Sequence, residues 1–265
     1  MESTIERYLT ELVEAARESL GDNLVAAYAA GSVGLGAYEP GRSDVDVALV
    51  CEDAVELPLK QALVARLRHE TVPCPARGLE LVLYRRAVAQ AGTLEPGFEV
   101  ELNTGAGMSF RATYAAEDRP MSDGRFWYAL DRSILHQSGY VIFGPSASEM
   151  FADLSPTDIR ALLVDALRWW LALPTPPGDE PAPGAEDAVL GACRSLVRFR
   201  HGVWLSTSAA GRRLRDAGTA SELVERCLRA RLGGPPPSGR EARAFQQQVL
   251  DEIRAPPQLE TSMSP

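Results

Sequence analysis

The sequence predicts two structural halves: an α+β N-terminal half, built on a small mixed sheet with helices, and an all-α C-terminal half. Three observations carry this. Short apolar runs of strand length recur between residues 24 and 105, each closed by glycine or polar turn residues: LVAAYAAGS, SDVDVALVCE, GLELVLYRR and FEVELNTGA. Segments with helical spacing precede and separate them. From Phe126 onward the short runs give way to helical patterns punctuated by Gly and Pro.

The elements follow in order. Ser3 and Glu6 fit a capping box, and Ile5, Leu9, Leu12, Val13 and Ala16 then share one helical face, so a first helix runs to about Gly21. LVAAYAAGS reads as a buried strand stopping at glycine, and SDVDVALVCE as a second strand. AVELPLKQALVARLRHE is helical, with a proline interruption. GLELVLYRRAVA is a third strand passing into a helix or turn, and FEVELNTGA alternates as a fourth. RFWYALDRSILHQSGYVIFGP reads as one helix ending before Gly144-Pro145. Ser155, Pro156 and Asp158 form an N-cap, a first-turn proline and a dipole-matched acid ahead of IRALLVDALRWWLAL. PTPPGDEPAPGA is a loop, EDAVLGACRSLVRFRHG a helix ending at Gly202, and SELVERCLRARL and REARAFQQQVLDEIR two more. The expected boundaries are 1–143, 144–254 and a disordered tail over 255–265.

Composition bounds the function. A net charge of -9 over 265 residues argues against a general nucleic-acid binder, which needs a basic face, and suits a cationic small substrate. The four cysteines are scattered without a CxxC pair, so neither a zinc site nor a redox motif is indicated, and buried reduced thiols are expected. No apolar run reaches the roughly 18 residues of a membrane span and no signal core opens the chain, so the expectation is a cytoplasmic protein without a membrane partner. His69, His136 and His201 show no metal spacing.

The chemistry concentrates in AGSVGLGAYEPGRSDVDVAL, residues 30–49. On a strand, residues i and i+2 face the same side, so Asp44 and Asp46 pair on one face while Val45, Val47 and Leu49 pack into the other. Two like charges held this close are costly unless a cation lies between them, and an all-oxygen pair suits Mg²⁺. Gly31-Ser32 and the glycines at 34 and 36 can bring backbone N–H groups to a phosphate. Glu80, flanked by apolar residues in GLELVLY, joins the same face if its strand is a neighbour, either as a third metal ligand or as a base for an attacking hydroxyl. Phosphate donors beside metal-binding carboxylates point to phosphoryl or nucleotidyl transfer. ELNTG, residues 101–105, is a candidate strand end near this site.

GS, a short loop and SDxD resemble the nucleotidyltransferase superfamily of the DNA polymerase β type. SILHQSGYVIFGPSASEMF, LLVDALRWWLAL and DAVLGACRSLVRFRHGVWLSTSAAG resemble the C-terminal region of the streptomycin/spectinomycin adenylyltransferases, and the resemblance runs from about Leu24 to Gly211. It implies an N-terminal nucleotidyltransferase domain, a helical bundle, and ATP-dependent transfer of AMP to an aminoglycoside hydroxyl, conferring antibiotic resistance. Gly31, Ser32 and Ser43 would bind the nucleotide. Asp44 and Asp46 would hold two Mg²⁺ ions, Glu80 would be the catalytic base, and Arg194 would reach the triphosphate. Trp170 would pack against the acceptor, and Asp179 or Asp187 would meet its cationic groups. The family's ATP-contacting lysine is replaced by Thr207, its C-terminal tyrosine by Arg231, and the asparagine of close homologues by Gly191. These departures leave open another small-molecule or protein hydroxyl as acceptor, or a catalytically weak binding or regulatory homologue. Nothing in the patterning demands more than a monomer or weak dimer.

Overall fold

The computed structural model describes residues 3–176 and 178–255. Most of the expected tail therefore lies outside the described residues. The chain divides into two compact units between Asp158 and Ile159.

The N-terminal unit is a six-stranded mixed sheet with helices on both faces. Its strands are β1 (Leu24–Ala29), β2 (Val45–Cys51), β3 (Leu79–Arg85), β4 (Phe98–Gly105), β5 (Met108–Thr113) and β6 (Tyr140–Phe143), in the order β5-β4-β3-β2-β1-β6. Only β2 and β3 run parallel; the other neighbours are antiparallel. A parallel pair needs a crossover, here containing α3 (Leu57–Leu67). The remaining helices of this unit are α1 (Ser3–Leu20), the single turn α2 (Gly31–Gly34), α4 (Arg86–Gln90), α5 (Trp127–Ser138) and α6 (Ala147–Met150), which starts on a capping box at Ser146 and Glu149.

The period-2 pattern sorts the strands onto two cores. Val45, Val47, Leu49, Leu79, Leu81, Leu83, Val100 and Leu102 pack with Ile5, Leu9 and Leu12 of α1 and Leu63, Val64 and Leu67 of α3. The opposite face carries Tyr28, Ala48, Val50 and Tyr84 under Tyr128 and Leu135 of α5 and Met150 of α6. The expected partition of Val45, Val47 and Leu49 away from the aspartates is thus observed.

Three expectations are corrected. Pro58 does not interrupt α3 but lies in its first turn, where a missing N–H costs nothing. The long helix expected across residues 125–145 ends at Ser138; Gly139 leaves the helical region, and the aromatic and β-branched run Tyr140–Phe143 pairs with β1. β5, unforeseen, is a largely exposed edge strand that forms a hairpin with β4 around Gly105 and Gly107, so it lacks the apolar alternation of a buried strand.

The second unit is helical: α7 (Pro156–Ala172), α8 (Ala185–His201), α9 (Thr207–Asp216), α10 (Ser221–Ala230) and α11 (Gly239–Arg254). Pro156 and Asp158 belong to the start of α7, where the amide of Asp158 donates to Ser155 Oγ at 3.1 Å, as expected. Helix α8 is central, packed by α9, α10 and α11. Its Val189, Leu190, Cys193, Leu196 and Val197 are buried, and Gly202 ends it at φ +69°. Gly211 lets α9 approach Leu190 of α8, since a Cβ there would lie 2.6 Å from Leu190 Cδ2. All four cysteines are buried and unbridged. Among the described residues, no helix is long and apolar enough to cross a membrane.

Candidate active site on the sheet face

The site begins where β1 ends. The amide of Ala30 donates to the carbonyl of Asp46 at 2.9 Å, tying the turn after β1 to β2. Gly31 follows at φ +51°, a conformation that disfavours any side chain, and a Cβ there would fall 1.8 Å from Asp46 Oδ2. Glycine is therefore required twice over, and its backbone lies directly against the Asp46 carboxylate. The next hydroxyl, Ser32 Oγ, is buried without a hydrogen-bond partner. Such a group is costly unless a ligand completes it.

Ser43 closes the loop that leads into β2. Its hydroxyl accepts from the Glu39 amide at 3.0 Å, and its own amide donates to the Glu39 carbonyl at 2.9 Å. Asp44, one residue ahead of β2, is paired with Arg77 at 3.3 Å.

The β2–β3 register decides the geometry. Asp46 lies directly opposite Glu80, so their side chains leave the same face of adjacent strands, roughly 5 Å apart at the backbone. The row continues across the sheet: Glu80 faces Asn103 on β4, and Asn103 faces Arg111 on β5. Arg111 donates to Asn103 Oδ1 at 3.3 Å and to Glu101 Oε1 at 3.1 Å. Glu101, nearly sealed at 7% exposure, also accepts from Thr113 Oγ1 at 3.2 Å and pairs with Arg119 at 3.4 Å. The ELNTG segment is therefore the strand next to the site.

Glu80 is pushed up to about 7, first by burial, then by the negative charges of Asp44 and Asp131; Arg111 pulls the other way. The side chain itself is exposed to solvent, although the strands around it crowd the carboxyl group. A carboxyl group near 7 is poised to exchange a proton at neutral pH.

The residues missed by sequence reasoning are Arg77, Arg111 and Asp131. Arg77 and Asp131 reach the site from a loop and from α5, at sequence distances that no local pattern encodes. Arg111 sits on the strand that was not foreseen.

In the helical unit, the expected residues lie on several elements. Arg194, on α8, stacks over Trp204 at 5.4 Å, and Arg198, one turn on, lies 5.3 Å from the same ring. Trp170, at the end of α7, is 42% exposed and edge-on to Trp169 at 5.1 Å. Asp187 is paired with Arg231 at 2.7 Å, and Arg231 also donates to Ser208 Oγ at 3.1 Å. Asp179 pairs with Arg240 at 3.2 Å in an exposed setting. Thr207 is the first residue of α9, behind the N-cap Ser206, and Gly191 faces open space.

Among the described residues, no group of three or more His, Cys, Asp or Glu side chains is gathered as a metal cage. Mg²⁺ needs no such cage, since it takes one or two carboxylates and completes its shell with water and substrate phosphates. Asp44 and Asp46, both oxygen donors, fit that donor set, and the buried Ser32 hydroxyl, next in the chain to Gly31, has no partner in the protein.

Against solved structures, the chain is similar to the spectinomycin adenyltransferase AAD(9) of Enterococcus faecialis, a crystal structure with ATP and spectinomycin. The match has a TM-score of 0.66 and covers 94% of this chain and 99% of that one, at 14% identity. The chain has an aminoglycoside adenylyltransferase-like fold. At this identity the likeness establishes architecture: an α+β unit followed by a helical one. No protein-family model matches the sequence, and no curated protein matches it.

Proposed function

We propose that the protein is an ATP- and Mg²⁺-dependent nucleotidyltransferase that moves AMP to a hydroxyl of an aminoglycoside-type acceptor, releasing pyrophosphate and conferring resistance where the acceptor is an antibiotic. One observation carries this reading: Asp46 and Glu80 in direct register on one sheet face, with the Gly31 backbone pressed onto Asp46.

Asp44 and Asp46 would hold the metal, which supplies positive charge against the phosphates as negative charge builds there. Glu80 takes the proton of the attacking hydroxyl, whose oxygen bonds to the α-phosphorus as the bond to the pyrophosphate oxygen breaks. Gly31, Ser32 and Ser43 position the nucleotide, and Arg194 contributes a cation to the triphosphate. Trp170 offers an exposed apolar ring to the acceptor. Asp179 and Asp187 meet acceptor amines only by giving up Arg240 and Arg231.

That last point favours a second reading: the same transfer with another small-molecule or protein hydroxyl as acceptor, or a weakly active regulatory homologue. Both carboxylates expected to greet a cation already hold one, and Thr207 carries no charge to replace the lysine. A pyrophosphate-release screen separates the readings. Mg²⁺-dependent release with spectinomycin or streptomycin is expected. Release only with uncharged hydroxyl compounds moves the acceptor to the second reading. Absence of both release and Mg-ATP binding overturns the transferase.

A further inference from the structure

Arg77 has no part in the transfer chemistry set out above, yet three backbone hydrogen bonds fix the segment that carries it. The Arg77 amide donates to the Ser43 carbonyl at 3.4 Å, its carbonyl accepts from the Gly107 amide at 2.9 Å, and the next carbonyl, of Gly78, accepts from the Val45 amide at 2.9 Å. Three glycines allow this lock. A Cβ on Gly105 would sit 2.3 Å from Gly78 Cα, one on Gly107 would meet Arg77 Cγ at 2.8 Å, and one on Gly78 would meet Met108 Cβ at 2.6 Å. The β4–β5 hairpin is thus pressed onto Arg77-Gly78, and the guanidinium is delivered to Asp44 Oδ2 at 3.3 Å while itself remaining 55% exposed.

Asp44 has Asp46 two residues away, and its charge is felt by Glu80. A set of carboxylates without a counter-ion repels itself, which favours a resident cation. An exposed arginine pair is also weak, so it can be exchanged. We propose that Arg77 is a placeholder cation: it neutralises and positions Asp44 while the metal is absent, and releases that carboxylate to the divalent ion on binding. Arg77 is a positioning residue, acting through Asp44. The inference rests on the metal–nucleotide reading of this face and extends it to how the empty state is kept in order.

The test is calorimetric titration of the full chain with MgCl₂ alone and with Mg-ATP, together with melting curves in EDTA and in Mg²⁺, for wild type, Arg77→Gln and Arg77→Lys. Removing the competing cation should tighten Mg²⁺ binding by about two- to fivefold, the scale of an exposed ion pair. Arg77→Gln should lower the melting temperature in EDTA more than in Mg²⁺, and Arg77→Lys should restore wild-type behaviour. Unchanged Mg²⁺ affinity with weakened Mg-ATP binding would make Arg77 a phosphate ligand and overturn the inference. An equal loss of melting temperature in both buffers would make it an ordinary surface bridge, with the same consequence. If the wild type binds neither Mg²⁺ nor Mg-ATP, the transferase reading fails as well; if it binds both and Arg77→Gln matches it throughout, only the placeholder fails.

Discussion

The two units hold their candidate residues in different ways. In the α+β unit, backbone geometry does the placing: strand register sets Asp46 beside Glu80, and the missing side chain of Gly31 admits the Asp46 carboxylate. In the helical unit, placement depends on side-chain partners: Asp187 leans on Arg231, Asp179 on Arg240, and Arg194 on the Trp204 ring. Backbone-set positions tolerate little change, whereas surface ion pairs are exchanged at small cost. The carboxylate face of the sheet is therefore rigidly specified, and the candidate residues of the helical unit are the more adjustable ones.

The comparison is broken most severely at Asp46. Asp46→Asn should lower transfer by roughly 10³-fold or more, given the several kcal/mol that a metal ion contributes to charge stabilisation, with the fold retained. Turnover and circular dichroism together check this. Near-normal turnover would mean that register alone does not make a site. Next comes Gly31→Ala, which forces a side chain into the left-handed region and against Asp46 Oδ2; a loss of about 1–3 kcal/mol in denaturant unfolding is expected, with activity falling alongside. By contrast, Asp187→Ala should cost about 1 kcal/mol or less in stability, because its partner Arg231 has Ser208 to turn to. If it also raises KM for a cationic acceptor while sparing kcat, Asp187 belongs to recognition.

The smallest expected effect is a pH dependence. The folded-state value of Glu80, about 7, lies above the ordinary carboxyl value of 4.5, so in that window the folded chain holds a proton that the unfolded chain has lost. Stability contributed by this group is full below pH 4.5 and is lost as pH rises to 7. Glu80→Gln should accordingly melt higher than wild type at pH 8, with the gap closing towards pH 4.5. A constant gap would contradict the shift.

The sequence made much of the first unit readable, because period-2 alternation reports directly which residues share a face, and GS followed by SDxD lies within one twenty-residue stretch. Asp46 and Glu80 could be placed on one face, though only the β2–β3 register made them neighbours. What stayed hidden shares a physical cause. Arg77, Asp131 and Arg111 reach the site through tertiary contacts, and β5 and β6 are short, partly exposed edge strands whose pairing partners decide their fate more than their own composition does. In the helical unit, Asp187 and Asp179 were visible as acids, but their arginines lie 44 and 61 residues away in sequence, beyond any local pattern, as the Asp187–Arg231 and Asp179–Arg240 bonds show.

The central claim, that Glu80 beside Asp46 is the base of a nucleotidyl transfer, is tested most directly by single-turnover pyrophosphate release from Glu80→Gln, with Mg-ATP affinity measured on the same sample. Transfer reduced by about 10²- to 10⁴-fold with Mg-ATP affinity unchanged is the predicted result. Transfer within a few fold of wild type would contradict it.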